Sequence, residues 1–122
     1  MPRKASKKTM RKKCDILWSK LVRANGECVM CGKPGPLNAH HIQGRTSLAV
    51  RYNLENGLCL CVGCHFIAHH KQVTFSLWLQ EYLGSGLLEK LHELDKPTYG
   101  KFDYQETFEY LTKLYKDLDE DF

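Results

Sequence analysis

The chain has 122 residues, a hydrophobic content of 43% and a formal net charge of +4. This length fits one domain with a modest core, and no apolar run is long enough to cross a membrane, so a membrane-spanning protein is excluded. The charge is segregated: residues 1–13 carry seven Lys or Arg and no acid, whereas residues 103–122 carry seven acids and two lysines.

The N-terminal segment predicts a basic arm followed by a helix. Residues 1–13 are expected to be disordered alone and to attract nucleic-acid phosphates, with Lys12 and Lys13 as candidate contacts. They lack the apolar stretch of a secretory signal, which favours a reducing, cytoplasmic location. Residues 15–24 have apolar side chains at helical spacing, and an Asn-Gly pair follows as a stop signal.

Two Cys-x-x-Cys knuckles come next along the chain. Their thiols, Cys28, Cys31, Cys61 and Cys64, have the spacing at which four thiolates enclose a structural Zn²⁺ tetrahedrally. A disulfide framework is the alternative, but a reducing compartment favours metal ligands. Cys59 can in principle compete for the ion, although the knuckle spacing favours Cys61 and Cys64.

A hairpin-like β unit is predicted between the knuckles. A Pro-Gly-Pro turn at residues 34–36 leads into an extended run over residues 37–42, which carries His40 and His41. A second, apolar strand is predicted over residues 58–60.

The segment that joins the two strands is predicted to be a loop over residues 43–50 and a turn over residues 53–57. It contains Arg45, and Arg51 follows it. Contact with nucleic-acid phosphates and ordinary solvation explain these two arginines equally well.

The second knuckle is predicted to open a helix that carries further histidines. Successive helical residues lie about 100° apart, so His65 and His69 share a face, Cys64 points elsewhere, and His70 is turned about 140° from His65. One helix can therefore offer a thiol to a structural zinc and two imidazoles to a second site.

The remaining elements predict a helical scaffold over residues 74–118. One helix is expected over residues 74–83, ending at Gly84, and another over residues 87–94. Asp103 and Glu106 resemble a capping box for a last helix. The expected fold class is α+β, with residues 14–122 forming a single domain.

The central motifs together resemble those of the HNH endonucleases, in the branch whose ββα-metal core is stapled by zinc. The residues that carry the resemblance are Ala39-His40-His41-Ile42, Asn56 and Leu60-Cys61-x-x-Cys64-His65-x-x-x-His69. The match covers residues 28–70, the zinc and ββα-metal core. Phe75-x-x-Trp78-x-x-x-Tyr82-Leu83-Gly84 is similar to phage-borne members such as the NinG-type recombination nucleases.

This resemblance implies a role for each matched residue. His41 would be the general base that deprotonates the attacking water, and His40 a ligand of a catalytic divalent cation. His65 would be a second ligand and His69 a third, while Asn56 would hold the loop and orient the base. The implied reaction cuts DNA phosphodiesters to leave a 5′-phosphate and a 3′-hydroxyl.

The chain departs from many members of that family at one position, because His40 stands where they carry an acid. A neutral ligand suits Mn²⁺, Ni²⁺ or Zn²⁺ as well as Mg²⁺. The resemblance further implies DNA as partner and the cytoplasm of a bacterial or phage-infected host cell. A homodimer would be needed for double-strand breaks made by paired nicks.

Two other functions compete with this one. A non-catalytic zinc module could bind nucleic acid through the basic arm, with the extra histidines only structural. A protein-interaction domain could act through the acidic residues 117–121, although a charge run is usually a solvated end.

Overall fold

The computed structural model describes residues 6–44, 47–95 and 102–120. Within them the chain is α+β, as predicted, with helices packed around a two-stranded antiparallel sheet. In chain order the elements are α1 (Lys7–Arg23), β1 (Leu37–His41), α2 (Leu48–Arg51), a 3-10 turn (Leu54–Asn56), β2 (Gly57–Cys61), α3 (Val62–His70), α4 (Gln72–Leu94) and α5 (Tyr104–Glu120). None of the helices in these ranges has both the length and the apolar character needed to cross a bilayer.

Helix α1 begins at Lys7, well before the predicted start at residue 15. The Ser6 hydroxyl oxygen caps it by accepting a hydrogen bond from an amide of the first turn. Its buried side chains recur every four positions on one face: Met10, Cys14, Trp18 and Val22. Lys, Arg and Met are good helix formers, so the basic run extends this helix. The prediction of a disordered arm is therefore wrong for residues 7–13, and residues 1–5 lie outside the described part.

The sheet has two different faces because neighbouring residues on a strand point in opposite directions. In its antiparallel register His40 lies opposite Leu58, and His41 lies opposite Gly57. The core on the α1 side consists of Cys14, Trp18, Val22, Tyr52, Cys59 and Leu111. The core on the side of α3 and α4 consists of Cys28, Leu58, Leu60, Cys61, Cys64, Ala68, Phe75 and Leu79. His40 therefore faces α3 and α4, whereas His41 faces α1.

Gly57 lies where α1 crosses the sheet, and replacing it with alanine is expected to destabilise the fold. A Cβ at this position would lie 2.5 Å from Val22 Cγ2 and 2.9 Å from Trp18 Cζ2. Both neighbours are packed in the core, so Gly57→Ala should cost about 1–3 kcal/mol in the free energy of unfolding. Gly86→Ala in α4 is the matched control, because nothing lies within 4 Å of its Cβ. Urea unfolding measures both, and equal midpoints would contradict the close approach at Gly57.

The described part of the connection between the strands is more ordered than predicted. Part of the loop expected over residues 43–50 is helical, because α2 begins at Leu48. The connection is also fastened to the end of α4: the Ser47 hydroxyl donates to Asp95, and Lys90 forms an ion pair with Glu55 at 2.8 Å.

Helix α4 contains both of the helices predicted over residues 74–83 and 87–94. Between them Gly84 leaves helical geometry, with φ 75° and ψ 167°. A positive φ is readily adopted by glycine, so the break falls where the sequence indicates it.

Helix α5 starts at the predicted cap and packs along α1. The Asp103 carboxylate accepts a hydrogen bond from the Glu106 amide at 3.0 Å. Leu111 of α5 is fully buried in the core on the α1 side, and the Cys14 thiol of α1 donates to the Tyr104 carbonyl at 3.5 Å. α1 therefore lies between the sheet and α5.

Candidate metal centre and candidate active site

The four cysteines of the two knuckles meet at one point. Their sulfur atoms all lie within 4.8 Å of one another, and the Cys31 and Cys61 sulfurs are 3.5 Å apart. Thiolates bound about 2.3 Å from one zinc ion are separated by about 3.8 Å, so this spacing suits a tetrahedral site. The prediction of a four-cysteine cluster that can hold a structural zinc is confirmed.

The electrostatics of this cluster favour a bound cation. Burial alone would raise the pKa of the Cys28 thiol, but backbone N–H groups of three neighbouring knuckle residues lower that pKa to about 6. Burial, followed by contact with the other thiols, raises the pKa of Cys64. A hydrogen bond from the Cys64 backbone N–H also lowers the pKa of the Cys61 thiol. Two thiolates thus form readily while further negative charge is opposed, and a divalent cation removes that opposition.

The other cysteines lie outside the cluster. All six cysteines of the chain fall within the described residues and are free thiols, so no disulfide framework is present. Cys59 packs with the α1-side core, whereas the Cys61 sulfur accepts a hydrogen bond from the Cys64 amide at 3.4 Å. Cys59 is therefore not the fourth ligand.

A second cluster consists of His40 on β1 with His65 and His69 on α3. One ring nitrogen of each lies within 4.8 Å of the others, and the Nε2 atoms of His65 and His69 are 3.0 Å apart. Imidazole nitrogens bound about 2.1 Å from one ion are separated by about 3.0–3.4 Å, so these three rings can share an ion. His70 points away, with its ring 4.3 Å from that of Phe66.

His40 is held in its neutral form. Burial, followed by the charges that the neighbouring histidines would carry, lowers the pKa of His40 to about 4. The Phe75 ring packs edge-on against it, with centroids 5.3 Å apart. Burial and His69 also lower the pKa of His65. Neutral imidazoles present the lone pairs that a divalent ion requires.

The lowered pKa of His40 predicts a loss of stability in acid. Between pH 6.5 and about 4, the unfolded chain binds a proton at His40 that the folded chain does not bind. The free energy of unfolding therefore falls as the pH falls through this window. His40→Gln removes this titration, so the wild type should lose more stability than the variant. Urea unfolding without added divalent ion measures the difference, and parallel pH profiles would contradict the assignment.

His41 lies on the opposite face of β1, against α1. Its ring stacks on Trp18, with centroids 3.8 Å apart and planes 9° apart. Its Nε2 lies 3.1 Å from the carbonyl oxygen of Arg51. A carbonyl can only accept, so Nε2 carries the hydrogen and, in the neutral ring, Nδ1 carries the lone pair. The ring is thus held in the tautomer whose proton-accepting atom is Nδ1.

Asn56 fixes the chain directly after His41. It is fully buried, its side-chain oxygen accepts from the Gln43 amide at 2.7 Å, and its side-chain nitrogen donates to the Gln43 carbonyl at 3.2 Å. Its own carbonyl accepts from the Ile42 amide at 2.9 Å. These are the hydrogen bonds that a loop-holding role requires.

The phosphate contact of Arg51 stays a prediction, but the structure holds its side chain in an ion pair. Its guanidinium forms two hydrogen bonds with the Asp15 carboxylate, at 3.0 and 2.8 Å, and the side chain is 11% exposed. Because the Arg51 carbonyl holds His41, this ion pair anchors the backbone group that orients the imidazole. Arg51 is a positioning residue.

The other predicted phosphate contacts have separate outcomes. Arg45 lies outside the described residues. Lys12 and Lys13 are both exposed on α1, but consecutive helical residues point about 100° apart, so they do not face the same surroundings.

His41 and the cluster of His40, His65 and His69 line the same cleft, which has a volume of about 480 Å³. It is lined by Asp15, Trp18, Ser19, Ala39, His40, His41, Gly44, His65 and His69. The contribution of α1 was not predicted from the sequence, because the apolar spacing over residues 15–24 indicates only a helix. Asp15 and Ser19 are polar residues four positions apart on this helix, and that spacing is the signal from which a cleft-facing side could have been inferred.

Comparison of the chain with protein-family models, with curated proteins and with solved structures gives no match. The geometry of the cleft and of the two clusters is therefore the basis on which a function can be assigned.

Proposed function

We propose that the chain is a metal-dependent DNA endonuclease of HNH type, with β1, β2 and α3 as its ββα-metal core. The observation that carries the proposal is the position of His41 in the same cleft as the cluster of His40, His65 and His69. The three rings can hold an ion, and His41 is oriented separately by Trp18 and by the Arg51 carbonyl. The four-cysteine cluster would hold a structural zinc that fixes the strands and α3.

Each histidine then has one role in phosphodiester hydrolysis. A divalent ion held by the cluster would stabilise negative charge on the non-bridging and leaving oxygens. Nδ1 of His41 takes a proton from water as the water oxygen bonds to phosphorus. The bond from phosphorus to the 3′-oxygen breaks, and that oxygen takes a proton from solvent. The products are a 5′-phosphate and a 3′-hydroxyl, and His41 returns its proton to solvent.

The opposite orientations of neighbouring strand residues support this division of roles. His40 and His41 face different sides of β1, so only His40 reaches the rings of His65 and His69. Three neutral ligands do not by themselves select among Mg²⁺, Mn²⁺, Ni²⁺ and Zn²⁺. The remaining ligands, water and phosphate, decide which ion binds.

Incubation with supercoiled plasmid tests the proposal. The chain should convert the plasmid to the open-circular form with at least one of Mg²⁺, Mn²⁺, Ni²⁺ or Zn²⁺. Omitting the divalent ion should stop the reaction, and supplying it should restore nicking. Binding without nicking under every ion would instead favour the non-catalytic zinc module.

A further inference from the structure

One side of α1 borders the cleft, and this side is basic. Asp15 and Ser19 line the cleft. Lys8, Arg11 and Lys12 precede Asp15 by seven, four and three positions, the intervals at which helical residues share a face. The three basic side chains are exposed, so they continue the wall of the cleft toward the start of α1.

Arg23 continues the same side in the other direction. Its Nε donates to the Ser19 carbonyl at 3.2 Å and to the Ser19 hydroxyl at 3.0 Å, which holds the guanidinium beside a residue that lines the cleft. We call Lys8, Arg11, Lys12 and Arg23 the basic edge. At 1.5 Å per residue it is about 22 Å long, so it can contact several successive phosphates of one strand.

The acidic residue on this side of α1, Asp15, does not repel an approaching anion. Asp15 is the one acidic residue in the sequence of α1, and its carboxylate is paired with Arg51 at 2.8 Å. The ion pair cancels the carboxylate charge next to the cleft. The edge therefore keeps its positive potential where a phosphate would enter.

The remaining lysines in the body of α1 face a different element. Lys13 lies 5.8 Å from the centroid of the Phe108 ring, and Lys20 lies 5.7 Å from that of the Tyr115 ring, both on α5. They are also exposed, but they border α5 and not the cleft. Apart from Lys7 at its first position, the basic residues of α1 thus form two sets with different surroundings.

We propose that the basic edge is the surface that binds the phosphate backbone of DNA beside the cleft. Its contacts are to phosphates, so it places the strand without selecting a sequence. The edge rests on the proposed function for where the scissile phosphate lies, but the binding it provides can be measured without cleavage.

The test compares two matched pairs of substitutions on α1. Lys8→Gln with Lys12→Gln removes two charges from the edge, and Lys13→Gln with Lys20→Gln removes two from the α5 side. Gln is a good helix former, so both variants should keep the helix. Both pairs are made in the full chain carrying His41→Ala, so that the DNA is not cut. The fluorescence anisotropy of a short labelled DNA duplex, titrated with each variant at several salt concentrations, gives the dependence of affinity on salt.

The edge pair should lower the slope of log affinity against log salt by about 2 and weaken binding tens of fold at about 0.1 M salt. The α5-side pair should leave both nearly unchanged. Equal effects of the two pairs, or no effect of the edge pair, would overturn the proposal. These outcomes are separate from plasmid nicking. If the edge pair weakens binding but the chain does not nick plasmid, the proposed nuclease function is wrong. If the chain nicks plasmid but the edge pair has no effect, the proposed role of the basic edge is wrong.

Discussion

Replacing His41 with alanine is expected to lower the rate of plasmid nicking by about 10²–10⁴-fold, the usual contribution of a general base. The imidazole is held between Trp18 and the Arg51 carbonyl with Nδ1 as the proton-accepting atom. Removing the ring removes that acceptor, while the metal cluster lies on the other face of β1. Initial rates of supercoiled plasmid loss, at saturating divalent ion, measure the effect.

Two controls separate this loss from misfolding. His70→Ala removes a histidine of α3 that lies outside the three-histidine cluster, and it should nick at close to the wild-type rate. His41→Asn keeps a polar side chain at the site but cannot serve as a base near neutral pH, so it should be as inactive as His41→Ala. Metal content should be unchanged in all three variants, and each should still unfold cooperatively, with a modest loss of stability where the His41 ring no longer packs on Trp18. Full activity in His41→Asn would show that the base is another group.

Removing the zinc that we propose for the four-cysteine cluster is expected to unfold the chain. A zinc site made of four thiolates contributes on the order of 10 kcal/mol. The total stability of a small domain is about 5–15 kcal/mol. Cys61→Ala removes one of the thiols that lie within 4.8 Å of each other, and it also removes the cap of α3. The variant should lose zinc and most of its helical circular dichroism signal.

Cys59→Ala is the matched control for this change. Cys59 is two residues from Cys61 and equally buried, but it packs with the α1-side core. This variant should retain its zinc and its fold, with a small loss of stability from the missing sulfur. Zinc release to a coloured chelator and far-ultraviolet circular dichroism measure both variants. A folded, zinc-loaded Cys61→Ala chain would contradict the assignment of the cluster.

The sequence predicts the clusters well because their ligands are set by local spacing. Two knuckles fix four thiols, and an interval of four on α3 places His65 beside His69 and turns His70 away. Alternation on β1 separates His40 from His41. Glycines mark the end of α1 and the break at Gly84, and a capping side chain marks the start of α5.

The features that the sequence does not predict depend on contacts between distant residues. Trp18 stacks on His41, and Asp15 pairs with Arg51, only because α1 packs across the sheet. No local pattern distinguishes Arg51, which is occupied by an ion pair, from an arginine that is exposed to a ligand. The sequence does not predict the start of α1 because a run of charge indicates disorder, whereas Lys and Arg also favour helix.

The proposed function requires two separate metal sites, a closed one for folding and an open one for catalysis. Native mass spectrometry of zinc-loaded protein, with nicking measured on the same samples, tests it most directly. The wild type should carry one ion at each of the two clusters. His65→Ala with His69→Ala should keep the thiolate-bound ion, lose the other and lose nicking. A single ion in the wild type, or nicking that survives the double substitution, would contradict the account.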